Sequence, residues 1–178
     1  MVRDGCSLCT SPSVAATRES LTISETCTGH TYSAVKVVDK NTQESVTLEK
    51  EIMGLDHPFI SRLLFSFEDP QYHYLVTEFY PGGSLFDLIK RKGRLSEKQA
   101  LFYAAEILLG LEHLHSKGYL HRDLKPENIM IAADGHTKLI DFGHQSTEEY
   151  MAPELLCEVT EGKFSQKSDY WSLGIILF

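Results

Sequence analysis

The sequence has few of the features that mark secreted, membrane-spanning or nucleic-acid-binding proteins. Only four of its 178 residues are cysteines, and three of these lie near the N-terminus, so a disulfide framework is not expected. No apolar run near the start is long enough for a signal peptide, and the late run at 173–178 is too short to cross a bilayer. The net charge is −8 without a long basic run, which argues against nucleic acid or an anionic membrane as the main partner. We therefore expect an intracellular protein, cytoplasmic or nuclear, with no membrane insertion.

Glycine is also scarce ahead of Lys36, where only Gly5 and Gly29 occur. No glycine-rich loop of the kind that covers a bound phosphate can be predicted there. Residues 1–28 are instead rich in serine and threonine and poor in periodic apolar residues, which predicts a disordered tail. The alternative is a zinc site, because two pairs of residues have the spacing of zinc ligands: Cys6, Cys9, Cys27 and His30.

The most informative stretch is residues 121–143, which read HRDLKPENIMIAADGHTKLIDFG. Two short β-prone runs in it are separated by the Asp-Gly dipeptide at 134–135, a signal for a two-residue hairpin turn. Such a turn pairs Asn128 with Asp141 across the hairpin. An amide oxygen and a carboxylate that converge in this way suit Mg²⁺, which binds few protein ligands and keeps water and phosphate oxygens.

Asp123 and Lys125 lie on the loop that leads into this hairpin. A carboxylate beside a metal site suits the acceptance of a hydroxyl proton, while the cation two residues further on steadies a phosphoryl group. HRDLKPEN at 121–128, followed by DFG, resembles the catalytic loop and the metal-binding motif of protein kinases. The resemblance implies phosphorylation of protein serine or threonine with ATP and Mg²⁺. It also implies that Asp123 and Lys125 are catalytic residues and that Asn128 and Asp141 are the metal ligands.

The resemblance also covers a strand predicted at 31–38 from its β-branched residues. Its Ala-Val-Lys sequence is similar to the kinase strand in which a lysine, here Lys36, holds the α- and β-phosphates. That lysine needs a carboxylate to orient it. A helix predicted over 43–55 supplies Glu49 for this role, with Glu51 as the alternative.

Two further strands are predicted at 63–67 and 72–79, with a turn between them. The Pro-Gly-Gly sequence that follows them resembles the hinge between the kinase lobes. The resemblance implies that Thr77 guards the pocket behind the adenine and that Glu78 and Tyr80 present backbone groups to the base.

Two helices are predicted after the hinge. Ser84 is the expected cap of a helix at 85–92, and Ser96 begins a capping-box pattern that opens a longer helix. His113 and His115 in the longer helix are expected to be surface or packing residues rather than ligands. A stripe at three- and four-residue spacing predicts the core-facing side of this helix: Leu101, Ala104, Ala105, Leu108, Leu111 and Leu114.

EYMAPE at 149–154 resembles the end of a kinase activation segment. Only residues 144–151 separate the DFG glycine from Ala152, so the segment is much shorter than in such kinases. Thr147 is interpreted either as the threonine near the substrate site or as a solvated loop residue. Asp169, at the start of a predicted helix, is implied to anchor the HRD backbone; the alternative is a helix N-terminal acid favoured by the helix dipole.

The resemblance spans about residues 31–178 and implies an α+β, bilobal protein-kinase-like fold. The small β-rich lobe is expected to be incomplete and the helical large lobe truncated. The expected division is a tail at 1–28, a partial small lobe at 29–80 and a partial large lobe at 81–178.

HPFI, GHTKLIDFG and EYMAPE are most similar to the AGC group of serine/threonine kinases, with the calmodulin-dependent group second. Lys125 favours serine/threonine specificity, and Glu127 fits substrates with arginine upstream of the acceptor. A second hypothesis follows from the missing glycine loop and the short activation segment. In that hypothesis the chain is a partial kinase that binds nucleotide or a partner without turnover.

Overall fold

The computed structural model describes residues 20–25, 32–41, 46–142, 147–156 and 164–178. The chain divides into two compact units. Unit 1 contains Met1–Val46 and Leu63–Phe79, and unit 2 contains Thr47–Arg62 and Tyr80–Phe178. The predicted catalytic loop and hairpin therefore lie within unit 2.

Within the described part of the chain, unit 1 contains one antiparallel four-stranded sheet. Its strands are β1 (Ser20–Glu25), β2 (Tyr32–Asp39), β3 (Leu63–Glu68) and β4 (Tyr72–Glu78), in the spatial order β1-β2-β4-β3. Among the strand residues whose burial is described, the buried apolar ones lie on the two inner strands and are Ala34, Val38, Leu75 and Val76. The strands predicted at 31–38, 63–67 and 72–79 are confirmed, with ends that shift by one residue.

Strand β1 lies inside the stretch 1–28 that was predicted to be a disordered tail, so that prediction is wrong for Ser20–Glu25. Polar and apolar residues alternate over the first five residues of the SLTISE sequence, and the strand pairs along its whole length with β2. The two cysteine-containing pairs of the predicted zinc site lie outside the described residues, so that alternative stays a prediction.

The described residues of unit 2 are mainly helical and form one short hairpin. Its first helix, α1 (Val46–Met53), begins at Val46, where the first stretch of unit 1 ends, and the helix predicted over 43–55 is confirmed over this range. The other described helices are α2 (Leu85–Lys92), α3 (Glu97–Ser116), α4 (Pro153–Leu156) and α5 (Gln166–Leu177). Single 3-10 turns occur at Pro126–Asn128 and Glu148–Tyr150.

Both predicted helix caps are confirmed. Ser84 Oγ accepts a hydrogen bond from Asp87 N at 3.1 Å, and the Asp87 carboxylate accepts one from Ser84 N at 3.3 Å. Ser96 and Gln99 form the same reciprocal arrangement at the start of α3. Each box satisfies backbone N–H groups that have no partner within the helix, which fixes where the helix begins.

The apolar stripe predicted along α3 is only partly buried. Leu111 and Leu114 are fully buried, but Leu101 is 64% exposed and Ala105 and Leu108 are also exposed, so the prediction is wrong for these three residues. The α3 residues that are buried are Glu106, Ile107, Gly110, Leu111, Leu114 and His115. Because α3 is apolar on most of its sides, residue spacing alone does not select the side that faces the core.

The predicted hairpin is present as β5 (Ile129–Ile131) and β6 (Thr137–Leu139), but its turn is longer than two residues. Ala132 N donates to His136 O at 2.8 Å, which leaves residues 133–135 in the loop. Gly135 has a φ of 88°, a left-handed conformation that glycine adopts without steric cost. Three-residue hairpin loops commonly use such a residue.

The longer turn shifts the pairing by one residue. Ile129 lies opposite Leu139, and Ile140 N donates to Asn128 O at 3.1 Å. The predicted pairing of Asn128 with Asp141 is therefore wrong, because Asn128 lies opposite Ile140 instead. Asp141 lies just beyond the end of β6 with a φ of 66°, so its backbone has left the strand conformation.

Candidate active site

The backbone of the loop that follows Tyr119 is anchored by the buried carboxylate of Asp169 in α5. Asp169 Oδ2 accepts a hydrogen bond from His121 N at 3.0 Å, and Oδ1 accepts one from Arg122 N at 2.9 Å. Arg122 has a φ of 71°, a conformation that costs a non-glycine residue on the order of 1–3 kcal/mol. The two hydrogen bonds offset this cost, and the predicted anchoring role of Asp169 is confirmed.

His115 of α3 completes this anchor from the other side. Its Nε2 lies 2.7 Å from Asp169 Oδ2, and its Nδ1 lies 3.3 Å from the hydroxyl of Tyr170. Both His115 and Asp169 are buried, so the pair satisfies two polar groups that burial would otherwise destabilise. The sequence reasoning missed this hydrogen-bonded role. The only signal for it was the position of His115 directly after the core residue Leu114.

Asp123 lies at the centre of a hydrogen-bonded network and is only 4% exposed. Its Oδ1 accepts hydrogen bonds from Thr147 N at 2.9 Å and from Thr147 Oγ1 at 2.8 Å. Its Oδ2 lies 2.8 Å from Lys125 Nζ and 3.2 Å from Asn128 Nδ2. Lys125 Nζ also donates to Thr147 Oγ1 at 2.9 Å, so the four side chains form one connected group.

These contacts set the charge state of the network. Burial raises the pKa of the Asp123 carboxyl, but the hydrogen bonds from Lys125 and Thr147 outweigh burial and hold the pKa below its usual range. Burial lowers the pKa of Lys125, and the carboxylates of Asp123 and Asp141 more than offset it, so this pKa is raised. Both groups are therefore charged at neutral pH.

Thr147 is a partner of the candidate catalytic residues, not a solvated loop residue. It is half-buried, and both its backbone N–H and its hydroxyl reach Asp123. Of the two interpretations of Thr147 from sequence, this geometry favours the position near the substrate site. The short 3-10 turn that follows, Glu148–Tyr150, begins immediately after it.

Asn128 and Asp141 have the oxygen donors that a hard cation requires. Asn128 Nδ2 donates to Asp123 O at 2.9 Å as well as to Asp123 Oδ2, which directs the amide oxygen of Asn128 away from Asp123. The charge of Asp141 acts on Lys125, so its carboxylate lies near the same network. An amide oxygen and a carboxylate fit Mg²⁺ and leave positions for water and phosphate. Among the described residues, no group of three or more histidine, cysteine, aspartate or glutamate side chains could hold a metal ion.

His121 packs beneath this segment against Phe142, with ring centroids 5.2 Å apart. It is completely buried, and among the described residues neither ring nitrogen has a hydrogen-bond partner. Burial lowers the pKa of His121, so the imidazole is neutral. The His121–Phe142 contact thus joins the loop that carries Asp123 to the segment that carries Asp141 through apolar packing.

The lysine predicted to bind phosphate and the glutamate predicted to orient it lie in different units. Lys36 is in β2 of unit 1, opposite Leu75, whereas Glu49 is in the part of α1 that belongs to unit 2. Glu49 is buried, at 4% exposure, while the alternative Glu51 is exposed and accepts a hydrogen bond from the hydroxyl of Tyr119 at 3.3 Å. Burial therefore favours Glu49 over Glu51, and the pairing of Glu49 with Lys36 stays a prediction.

The predicted hinge residues flank the boundary between the units. Thr77 and Glu78 end strand β4 of unit 1, and Tyr80 begins the second part of unit 2. The Tyr80 side chain is buried, and its hydroxyl donates to Ser61 Oγ at 3.0 Å. The Tyr80 carbonyl oxygen accepts a hydrogen bond from Gly83 N at 3.2 Å, and the adenine contacts of Glu78 and Tyr80 stay predictions.

The outer end of the hairpin is held by Glu106 of α3, which sequence reasoning also missed. The buried Glu106 carboxylate accepts hydrogen bonds from Thr137 N at 2.8 Å and Thr137 Oγ1 at 3.0 Å. Its other oxygen lies 2.5 Å from His136 Nδ1. The hairpin that directly follows Asn128 is therefore fixed to α3 at its turn.

Comparison with known proteins gives a match over most of the chain. The sequence profile of the protein kinase domain matches residues 22–178. The chain is 39% identical over 154 residues to the human cAMP-dependent protein kinase catalytic subunit PRKX. The aligned region covers 80% of this chain and 42% of that protein. It is 42% identical over 158 residues to the serine/threonine-protein kinase AtPK2/AtPK19 of Arabidopsis thaliana, covering 80% and 33%. It is 41% identical over 155 residues to the cGMP-dependent protein kinase of Toxoplasma gondii, covering 80% and 15%. The chain thus spans less than half the length of each of these relatives.

The matched range contains every element that builds the site. It includes the loop anchored by Asp169, the Asp123–Lys125–Thr147 network, and Asn128 with the hairpin that follows it. The mixed architecture, with a small antiparallel sheet and a mainly helical unit, agrees with this match. The chain therefore belongs to the protein kinase domain family, and the relatives it resembles include serine/threonine kinases of the AGC group.

Proposed function

We propose that this chain transfers the γ-phosphoryl group of ATP to a serine or threonine hydroxyl of a protein substrate. The observation that carries the proposal is the buried Asp123 carboxylate, which Lys125 and Thr147 keep ionised and oriented. Phosphoryl transfer leaves little covalent work to the protein, so fixed positions and fixed charges supply most of the catalysis.

Asp123 orients the attacking hydroxyl. A carboxylate has about four lone-pair positions, and the contacts with Thr147, Lys125 and Asn128 occupy them. A substrate hydroxyl must therefore replace one of these donors. Because the pKa of Asp123 is low, its main contribution is to align the hydroxyl and to accept the proton late in the transfer, an effect typically worth ~10²–10⁴-fold.

Lys125 neutralises the transferring group. Its ammonium has three N–H donors, of which Asp123 and Thr147 take two. The third is left for an oxygen of the phosphoryl group that moves toward the substrate. Because its pKa is raised, Lys125 keeps its charge throughout the reaction.

Asn128 and Asp141 would hold Mg²⁺ through an amide oxygen and a carboxylate. When bound, the ion neutralises the phosphate oxygens on which charge develops. Lys36, oriented by Glu49, would bind the α- and β-phosphate oxygens. The backbone groups of Glu78 and Tyr80 would bind the adenine. The assignments of these six residues follow the family pattern.

The expected substrates carry a basic residue upstream of the acceptor. Glu127 is exposed beside the catalytic loop, and the chain as a whole has a net charge of −8, so both favour a basic peptide. The test is incubation of the chain with Mg-ATP and matched peptides whose acceptor is serine, threonine or tyrosine, followed by mass spectrometry. Phosphate on the serine and threonine peptides supports the proposal, and phosphate on none of them or on the tyrosine peptide alone contradicts it.

The second candidate function is binding of nucleotide or of a partner without turnover. Exposed large apolar side chains on α5, which are Trp171, Ile175 and Leu177, favour it, because such side chains are common at sites that associate with another protein. A thermal-shift measurement with Mg-ATP separates the two functions. A stabilised chain that phosphorylates no peptide is a binding module, and a chain with no cooperative melt does not fold alone.

A further inference from the structure

Segment 57–61 connects the end of α1 to the hairpin by backbone hydrogen bonds. Leu139 N donates to Phe59 O at 2.8 Å, and Ser61 N donates to Leu139 O at 2.9 Å. These two bonds make a parallel bridge between Ile60 and Leu139. Because Leu139 lies two residues before Asp141, segment 57–61 fixes the strand from which that carboxylate emerges.

The turn at the start of segment 57–61 uses the side chain of its first residue, His57, as a hydrogen-bond acceptor. Phe59 N donates a hydrogen bond to Nδ1 of His57 at 3.3 Å. Nδ1 can accept this bond only when it carries no proton, so the geometry requires a neutral imidazole with its hydrogen on Nε2. A proton on Nδ1 would place two donors against each other and break the turn at Phe59.

The surroundings of His57 disfavour a charge for an independent reason. The His57 ring stacks on His113 of α3, with centroids 4.5 Å apart and planes 20° apart. Burial first, and then the charges of His113 and of Lys138 on β6, lower the pKa of His57. Among the described residues these are the titratable groups that act on His57 from the elements packed against it.

A third histidine, His136, also lies near Phe59, and its pKa is shifted in the opposite direction to that of His57. The ring of His136 is 6.4 Å from that of Phe59, and its Nδ1 bonds to Glu106. The hydrogen bond and the charge of Glu106 raise the pKa of His136. The contact between His136 and Glu106 is therefore strengthened, not broken, when the pH falls.

We propose that neutral His57 is a positioning residue that holds segment 57–61 against β6, and that protonation of His57 releases this segment from the hairpin. The direction of the pH effect follows from the lowered pKa of His57 in the folded chain. A histidine of this kind stabilises the fold fully above about pH 6.5, the pKa of histidine in the unfolded chain. That stabilisation is lost as the pH falls through the pKa of the folded chain. Acidification thus loosens the connection between α1, which carries Glu49, and the strand that leads to Asp141.

Amide hydrogen exchange of the whole chain tests this proposal without any assay of catalysis. The protection factors of Ser61 N and Leu139 N are measured between about pH 5 and about pH 8, with Ile131 N as reference because it donates to Gly83 O instead. On acidification, the two test amides should lose about 3- to 10-fold in protection relative to Ile131, as expected for the loss of one hydrogen bond. Equal pH profiles for all three amides would overturn the proposal.

Two variants assign the effect to His57. His57→Asn keeps a side-chain acceptor for Phe59 N but does not titrate, so it should retain protection at neutral pH and lose the step in acid. An acid step of unchanged size in this variant refutes the role of His57. His113→Gln removes the facing imidazole, so the acid step should move to higher pH. An unchanged midpoint there contradicts the proposal even if His57→Asn does not fold.

Discussion

Thr147 and Asp123 are joined by two hydrogen bonds to a single carboxylate oxygen, one from the backbone N–H and one from the hydroxyl of Thr147. The two residues are 24 positions apart in the chain. The bonds hold the carboxylate in one orientation, and the hydroxyl also accepts the bond from Lys125. Thr147 therefore couples the segment after the DFG sequence to the candidate catalytic loop.

Thr147→Val should lower kcat by roughly 10- to 100-fold, because it removes two hydrogen bonds to charged groups and keeps the side-chain volume. The KM for ATP should change by less than about twofold, since Thr147 touches none of the residues assigned to Mg²⁺, to the α- and β-phosphates or to the adenine. Steady-state kinetics with a serine peptide measures both constants. Thr147→Ser retains the hydroxyl and is the matched control. A Thr147→Val enzyme as fast as Thr147→Ser would show that the hydroxyl has no role.

Asp169→Ala should destabilise the chain by about 3–5 kcal/mol, because it leaves His121 N, Arg122 N and the His115 ring without their buried acceptor. Asp169→Asn keeps one acceptor oxygen and should lose less stability. Urea unfolding followed by circular dichroism gives the free energies of unfolding. If Asp169→Ala unfolds at the same urea concentration as the wild type, the anchor contributes nothing to stability.

Gly82→Ala should destabilise the chain by about 1–3 kcal/mol. A Cβ at Gly82 would lie 2.6 Å from Ile131 O and 2.8 Å from Ile131 Cβ, a clash with backbone that the packed loop cannot relieve. Gly174→Ala in α5 is the control, because its Cβ meets no atom within 4 Å and a helical alanine is favoured by roughly 0.5–1 kcal/mol. Tm should therefore fall for the first variant and rise slightly for the second. A fall of similar size in both would contradict the close approach at Gly82.

The contact between His136 and Glu106 should stabilise the chain in a pH-dependent way. Because the pKa of His136 is raised in the folded chain, this stabilisation is fully present below about pH 6.5, the pKa of histidine in the unfolded chain. It is lost as the pH rises through the pKa of His136 in the folded chain. The difference in Tm between wild type and His136→Gln should thus be largest near pH 6 and smallest near pH 9. Glu106→Gln should flatten the same difference. The contribution of His57 is common to wild type and His136→Gln and cancels, so a pH-independent difference rules out the charged contact.

The sequence predicts the local elements well where the signal is local. The caps at Ser84 and Ser96 and the strands of unit 1 other than β1 follow from residue type and spacing. The hairpin was also predicted, but its register was wrong by one residue. An Asp-Gly pair fits either a two-residue turn or a three-residue turn with glycine in the left-handed position, and only the structure shows which one forms.

The network around the site could not be predicted in the same way. Asp123, Asn128 and Asp141 are close in sequence, so a motif names them. Thr147, His115 and Glu106 reach their partners across 22 to 54 residues, and helix or strand periodicity carries no information about such contacts. Glu106 is a buried acidic residue among the apolar buried residues of α3, and a search for apolar periodicity does not select an acidic residue as buried.

The central claim is that Asp123 orients the substrate hydroxyl for phosphoryl transfer. Its most direct test is the rate of phosphate transfer to a basic serine peptide by wild type and by Asp123→Asn, with Mg-ATP binding measured on the same samples by calorimetry. We expect transfer by the wild type, a loss of about 10²–10⁴-fold in Asp123→Asn, and equal Mg-ATP affinity in the two. Equal transfer rates for wild type and Asp123→Asn would contradict the account.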